Sequence, residues 1–170
     1  MDVMTAITGR RSIRAYEPRD IEEEKLSSIL EAGRLAPSAR NMQEWKFVVV
    51  RDPDTKKKLV PAAKNQAFVG EAAVVIAACA VDTQHVMTCG QLCYPIDVAI
   101  SVDHMSLKAW EEGIGSCWIG AFYEDKVKEI LGIPQSVRVV SMLTLGYPKD
   151  TPPPRPRKPL QDIVCQDAWS

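Results

Sequence analysis

Pro95-Ile96-Asp97-Val98-Ala99-Ile100-Ser101-Val102-Asp103-His104-Met105-Ser106-Leu107-Lys108-Ala109-Trp110-Glu111-Glu112 is the stretch whose reading decides the fold. Proline suits the first turn of a helix, where no intrahelical donor is lost. At 3.6 residues per turn, Ile96, Ala99, Ile100, Leu107 and Trp110 fall on one side, and Val98, Val102, Met105 and Ala109 on another. A surface helix needs one apolar stripe, so two stripes predict burial on two sides. A subunit interface on the second side is the favoured reading, although burial within one chain also satisfies the pattern. Downstream, the glycine-rich joint Gly113-Ile114-Gly115-Ser116-Cys117-Trp118-Ile119-Gly120 leads to a helix from Glu124 to Leu131 that Gly132 closes. Val137 to Leu145 is the last predicted strand.

Upstream, residues 82–94 show no clear period and read as a loop or lid. Ala73 to Val81 is apolar on both faces, the pattern of a buried strand. Trp45 to Val50 reads as a strand ended by Asp52-Pro53-Asp54, with a short lysine-rich helix around Asp54 to Val60 after it. Asp20 and Glu23 form a predicted capping box for a helix whose face is Leu26, Ile29, Leu30 and Gly33, and which stops before Pro37. The tract Pro152-Pro153-Pro154-Arg155-Pro156-Arg157-Lys158-Pro159 excludes helix and inner strand, so residues 149–170 are expected as an extended tail. Helices and strands mix without regular βαβ repeats, which favours an α+β fold over a doubly wound sheet.

The 170 residues, 46% hydrophobic and 25% charged, make one domain's worth of chain. With 21 basic against 22 acidic side chains, no overall field attracts nucleic acid or an anionic membrane, so an anion site must be local. The longest apolar run, Ala72 to Val81, is half of what a membrane span requires. Five cysteines, without the spacing of a secreted disulfide scaffold, read as reduced thiols in a cytoplasmic protein.

Four segments could carry chemistry. Arg10-Arg11-Ser12-Ile13-Arg14 places three guanidiniums and a hydroxyl within five residues, enough for several forked bonds to one phosphate, or a solvated basic turn. Arg155-Pro156-Arg157-Lys158 holds its cations on a stiff backbone. In a neutral protein, two basic clusters make a shared phosphate ligand more plausible than either alone. Pro37-Ser38-Ala39-Arg40-Asn41-Met42-Gln43-Glu44-Trp45 is dense in donors and acceptors suited to the edge of a heterocycle, or is an ordinary capped loop. The glycine joint fits neither nucleotide fingerprint: Gly115 and Gly120 have the Walker spacing, but Ala121-Phe122 stand where Lys-Ser/Thr belongs. His85, Cys89 and Cys93 would share a face if helical, yet no fourth ligand accompanies them and Gly90 weakens the helix, so no metal site is assigned and Cys79 likewise has no assigned role.

Taken in order, Arg10 to Arg14, Ala36-Pro37-Ser38 with Asn41 to Trp45, Gly113 to Phe122, Leu145-Gly146-Tyr147-Pro148 and Arg155 to Val164 resemble the nitroreductase family in its short form. The resemblance covers nearly the whole chain. It implies an α+β fold with a mixed sheet flanked by helices. It also implies an intertwined homodimer with the long helix at the interface and FMN between the subunits. By position, Arg10, Arg11 and Ser12 would hold the phosphate and ribityl chain, joined by Arg155 and Arg157, with Arg14 at the N1 and C2-carbonyl side. Ser38, Ala39, Arg40, Asn41 and Gln43 would reach the flavin from the other subunit. Trp118, Ile119, Gly120 and Ala121 would pass beside the ring, with Asn65 and Gln66 near it.

The implied activity is hydride transfer from NADH or NADPH through flavin N5 to a small acceptor such as a nitroaromatic or quinone, with no protein side chain as the catalytic group. A dehydrogenase or reductive dehalogenase on the same scaffold, or a flavin carrier without turnover, are the alternatives. An RNA-binding module using the two basic clusters is opposed by the near-zero net charge. Glu44 departs from the family motif, which carries proline at that point.

Overall fold

In the computed structural model, which describes residues 1–169, the chain runs α1 (Val3–Gly9), α2 (Glu23–Arg34), β1 (Trp45–Val50), α3 (Pro53–Ala62), α4 (Phe68–Glu71), β2 (Val74–Ala80), α5 (Cys93–Glu111), β3 (Gly115–Ile119), α6 (Glu124–Leu131) and β4 (Arg138–Gly146). Short 3₁₀ turns occupy Ala39–Asn41 and Leu160–Asp162. The four strands form one sheet in the order β1-β2-β4-β3. Helices cover both faces, giving an α+β fold.

β2 explains the layering. Alternate side chains of a strand point to opposite faces. Val75, Ala77 and Cys79 join one core with Leu59, Ala62, Phe68 and Val127 from α3, α4 and α6. Val74, Ile76, Ala78 and Ala80 join a second core with Leu26 and Ile29 of α2 and Val98, Val102, Met105 and Ala109 of α5. Because both faces of β2 receive helices, no position on it tolerates a polar side chain, and all seven of its residues are buried.

Three expectations change. The sheet is antiparallel at every strand pair rather than mixed. Among the described residues, the one parallel contact is the isolated bridge between Ser12 and Ser116. The glycine joint is not a connector, since Gly115–Ile119 pairs with β4 over five residues as an edge strand. That pairing is made with residues beyond α6, so no local period announces it. The capping box does not form: α2 begins at Glu23, and its N-cap Glu22 makes no side-chain cap bond. The carboxylates are engaged elsewhere, Glu22 with Tyr147 and Arg19, and Glu23 with Arg51. Within this one chain, α5 is buried on the Val98–Ala109 stripe. Ile96 on the other stripe is 42% exposed, and Ala99, Ile100, Leu107 and Trp110 are only partly covered.

Lys56 on α3 is a buried cation that forms no ion pair among the described residues. Its ammonium donates to the carbonyls of Ala72 and Ala73 at 2.7 and 2.9 Å, tying α3 to the start of β2. Burial pulls its pKa down, while Asp20 and Asp52 oppose the shift. Lys56→Met keeps the aliphatic bulk and strips both carbonyls of their donor. The expected loss is about 1–3 kcal/mol of unfolding free energy, read from urea melts, and an unchanged midpoint would refute it.

Candidate functional site

The arginine segment leaves the C-terminal end of α1 and lies along β3. Arg10 is the C-cap of α1, its backbone N–H donating to the Ala6 carbonyl. Arg11 Nη1 donates to the carbonyls of Thr8, Gly9 and Arg10 at 2.7, 2.8 and 2.9 Å, so part of this guanidinium closes the helix end. Its Nε is buried with no acceptor. Ser12 bridges Ser116 in parallel, and the Ile13 N–H donates to the Ser116 carbonyl at 2.9 Å. Fully buried Ile13 packs where a Cβ on Gly115 would stand 2.7 Å from its Cγ1, so the strand can approach only because residue 115 is glycine.

Tyr16 locks the far end of the segment. Its hydroxyl donates to the Ile13 carbonyl at 2.9 Å and meets Thr144 Oγ1 of β4 at 2.7 Å. Burial pushes this phenol well above its ordinary value, so it stays protonated. Cys117 of β3 is also buried and its thiol is pushed up by burial, with Arg14 and Arg10 pulling the other way.

The N-terminal cluster and the C-terminal tail meet. A cleft of about 350 Å³ is lined by Arg10, Arg11, Ser12 and Arg14 together with Pro152 to Arg155 and Arg157. Ile7 and Thr8 of α1 complete the wall. No carboxylate lines it, and none of these five arginines forms an ion pair among the described residues. The tail runs without helix or strand from residue 151 to 159, as the prolines require. Ile7 and Thr8 are cleft residues that carry no signal of their own in the sequence, and Pro152–Pro154 announce an extended tail but not the wall it forms. Only the packing of the two termini shows them.

The second group of expected residues gathers at the end of β3. Trp118 is 41% exposed, while Ile119 is buried and Gly120 and Ala121 are exposed. Gln66 Nε2 donates to the carbonyls of Ala63 and Ala121 at 2.8 and 3.2 Å, which brings the 65–66 turn against that stretch. Asn65 sits in the left-handed region at φ 59° and its N–H donates to the Val60 carbonyl.

Ser38, Ala39, Arg40, Asn41 and Gln43 lie apart from the arginine cleft; none of them lines it. The Ala39 N–H donates to Asp97 Oδ2 at 3.0 Å, and Ser38 Oγ accepts from the Gln43 N–H at 3.0 Å. Ala39 and Arg40 instead border a cavity of about 180 Å³ with His85, Val86, Met87 and Thr88. Residues 82–92 are not helical, and the long helix begins at Cys93, two residues before the expected Pro95: Val86 bridges Leu92 antiparallel around a turn at Gly90, and the Cys93 N–H donates to the His85 carbonyl at 3.0 Å. Among the described residues no cluster of metal-ligating side chains occurs, and no helix is long and apolar enough to cross a membrane.

The sequence pattern of the nitroreductase family matches residues 7–91 and 63–147. The chain belongs to the nitroreductase family. It is 37% identical over 158 residues to the putative NADH dehydrogenase/NAD(P)H nitroreductase of Archaeoglobus fulgidus, an alignment spanning 88% of this chain and 87% of that relative. A nitroreductase family protein of Clostridium novyi NT superposes with a TM-score of 0.84 at 37% identity, over 88% of this chain and 87% of the other. The NADPH:FMN oxidoreductase of Vibrio harveyi, solved with NAD+, superposes with a TM-score of 0.90 at 29% identity, over 98% of this chain and 77% of the other. The protein is an NAD(P)H-dependent oxidoreductase of the nitroreductase and FMN reductase kind.

Proposed function

We propose that this protein is a homodimeric FMN enzyme that oxidises NADH or NADPH and reduces a small acceptor such as a nitroaromatic or quinone. The observation that carries the reading is the arginine cleft: five guanidiniums, no carboxylate, and a buried Arg11 Nε still lacking an acceptor. That donor set fits a phosphate monoester, whose oxygens accept forked, charge-assisted bonds. Arg10, Arg11 and Ser12 would hold the phosphate and ribityl chain, with Arg155 and Arg157 closing over it from the tail. FMN held there would supply the two-electron chemistry that links a nicotinamide donor to the acceptor.

The chain's own residues then position and shield. Arg14 would place positive charge beside the N1 and C2-carbonyl side of the ring system, where negative charge accumulates on reduction. Trp118, Ile119, Gly120 and Ala121 would flank the ring, with Asn65 and Gln66 beside them. Ser38, Ala39, Arg40, Asn41 and Gln43 would come from the other subunit, which accounts for their distance from the cleft within one chain. The uncovered stripe of α5, from Ile96 to Trp110, supports pairing of two copies through that helix. In this reading the whole chain is one FMN-binding domain, residues 82–92 form a lid over the acceptor, and residues 149–169 are a tail that embraces the partner, the last residue of the expected tail lying outside the described residues.

The absorption spectrum of the purified protein tests this directly. Flavin bands near ~450 nm are expected, bleaching on anaerobic addition of NADH or NADPH and returning with menadione or a nitroaromatic. Denaturation should release the chromophore as FMN. A protein that stays colourless after incubation with FMN overturns the cofactor assignment. A loaded protein inert to both nicotinamides overturns the reductase assignment and leaves a flavin carrier.

A further inference from the structure

Glu44 has no part in the reading above, yet it is the most unusual carboxyl in the chain. It follows the 38–43 loop, at the point where the family motif carries proline. It is only 4% exposed, as is Asp97 on α5. Asp97 lies close enough to Glu44 to raise its pKa, behind the larger effect of burial. The backbone N–H of Glu44 serves its own carboxyl group, while Oε2 is buried with no donor to accept from. Asp97 Oδ2 is already occupied by the Ala39 N–H at 3.0 Å.

Two ionised carboxylates in this position would be a buried, unscreened repulsion with one oxygen unsatisfied. One proton between them removes both faults: Glu44 Oε2 becomes a donor to Asp97, and Asp97 remains an acceptor for Ala39. The loop held this way is not relaxed. Arg40, Asn41 and Gln43 stand at φ 52°, 57° and 50°, a region unfavourable to side-chain-bearing residues. The two hydrogen bonds of Gln43 stay inside the loop, to Ser38 Oγ and the Asn41 carbonyl. The Ala39–Asp97 bond is what ties the strained segment to α5.

We propose that Glu44 is a positioning residue: a single proton shared by Glu44 and Asp97 latches the 38–43 loop to α5, and loss of that proton releases the loop. Its consequence for cofactor binding rests on the reading that this loop meets FMN. The other titratable or charged groups around the pair are Asp82 beyond β2, Cys93 on α5, Arg40 in the loop and Cys89 in the 82–94 segment, with His85 joined to the loop through Met42. Burial is the main force raising the Glu44 pKa, with Asp97 and Asp82 adding to it and its own backbone N–H opposing. A raised carboxyl pKa stabilises the protonated form, so the latch is closed at low pH and opens as pH rises through the raised value.

Amide exchange at Ala39 reads the latch without reference to catalysis. Between about pH 5 and about pH 9, its protection, corrected for the intrinsic rate, should fall at least about tenfold in the wild type. Glu44→Gln carries an amide that donates to Asp97 and does not titrate, so its Ala39 protection should stay high and flat over the same range. Equal protection at both ends of the range in the wild type, or Glu44→Gln tracking the wild type, overturns the latch. FMN affinity measured in parallel should weaken with pH in the wild type alone. If Ala39 protection falls while FMN affinity does not, the latch holds and the contact between this loop and FMN is refuted.

Discussion

Replacing Arg10 and Ser12 together by alanine will weaken FMN binding by about two to four orders of magnitude and leave the fold intact. A hydrogen bond to a charged group contributes about 1.5–3 kcal/mol, and about 1.4 kcal/mol is a factor of ten in affinity. The fold should survive because the structural bonds at these positions are made by the backbone: the Arg10 N–H caps α1, and Ser12 bridges Ser116 through the main chain. Gel filtration followed by the FMN-to-protein ratio reads the result, and a thermal melt by circular dichroism reads the control. Stoichiometric FMN in the double variant would show that the phosphate lies elsewhere. Arg11→Ala is a different experiment, because three carbonyls at the end of α1 lose their donor with it, so stability falls along with cofactor.

Gly115→Ala and Ile13→Ala will each destabilise the protein, and together they will cost less than their sum. A methyl on Gly115 meets Ile13 Cγ1 at 2.7 Å and Cβ at 2.9 Å, neither of which is the free end of a flexible chain. Overpacking of this kind costs about 1–3 kcal/mol. Ile13→Ala empties a fully buried position in the core shared with Cys117, Ile119 and Met142, a loss of about 2–5 kcal/mol. In the double variant the added methyl occupies space that the isoleucine has vacated, so the coupling is favourable. Urea melts of the three variants measure it. Strict additivity would mean that the arginine segment does not depend on close approach to β3. Because that segment reaches the cleft from β3, Gly115→Ala should also loosen FMN.

Much of the fold was legible because its causes are local. β1 matches Trp45 to Val50 to the residue, and the helix before Glu112 needed only its own periodicity. Gly132 closes α6 at φ 65°, as a left-handed C-cap demands. β3 was not legible: five residues with two strand-like side chains among glycine, serine and cysteine become a strand only when β4 arrives to pair with them. The capping box failed for a related reason. Glu22 found Tyr147 across the fold and Arg19 three residues away, Glu23 found the distant Arg51, and these partners outweighed the nearby helix end.

The candidate site divides the same way. By composition alone, Arg10, Arg11, Ser12 and Arg14 offer donors suited to an anion or to a solvated basic turn, and Arg155 and Arg157 do the same or form a basic tail. The positions that hold them do not: Tyr16 against Thr144, Ile13 against Gly115, and Pro152 to Pro154 as a wall. Glu44 and Asp97 are 53 positions apart and read singly as ordinary surface acids, yet both are 4% exposed and Asp97 lies close enough to raise the Glu44 pKa.

The sequence by itself determined which segments become helix or buried strand, and which residue types are available for an anion. Those follow from side-chain period and charge, which a chain carries before it folds. Tertiary structure alone decided that the two termini share one cleft, that β3 exists, and that one carboxyl lies buried near another. These depend on contacts between distant residues, whose energies appear only after the intervening chain has been ordered.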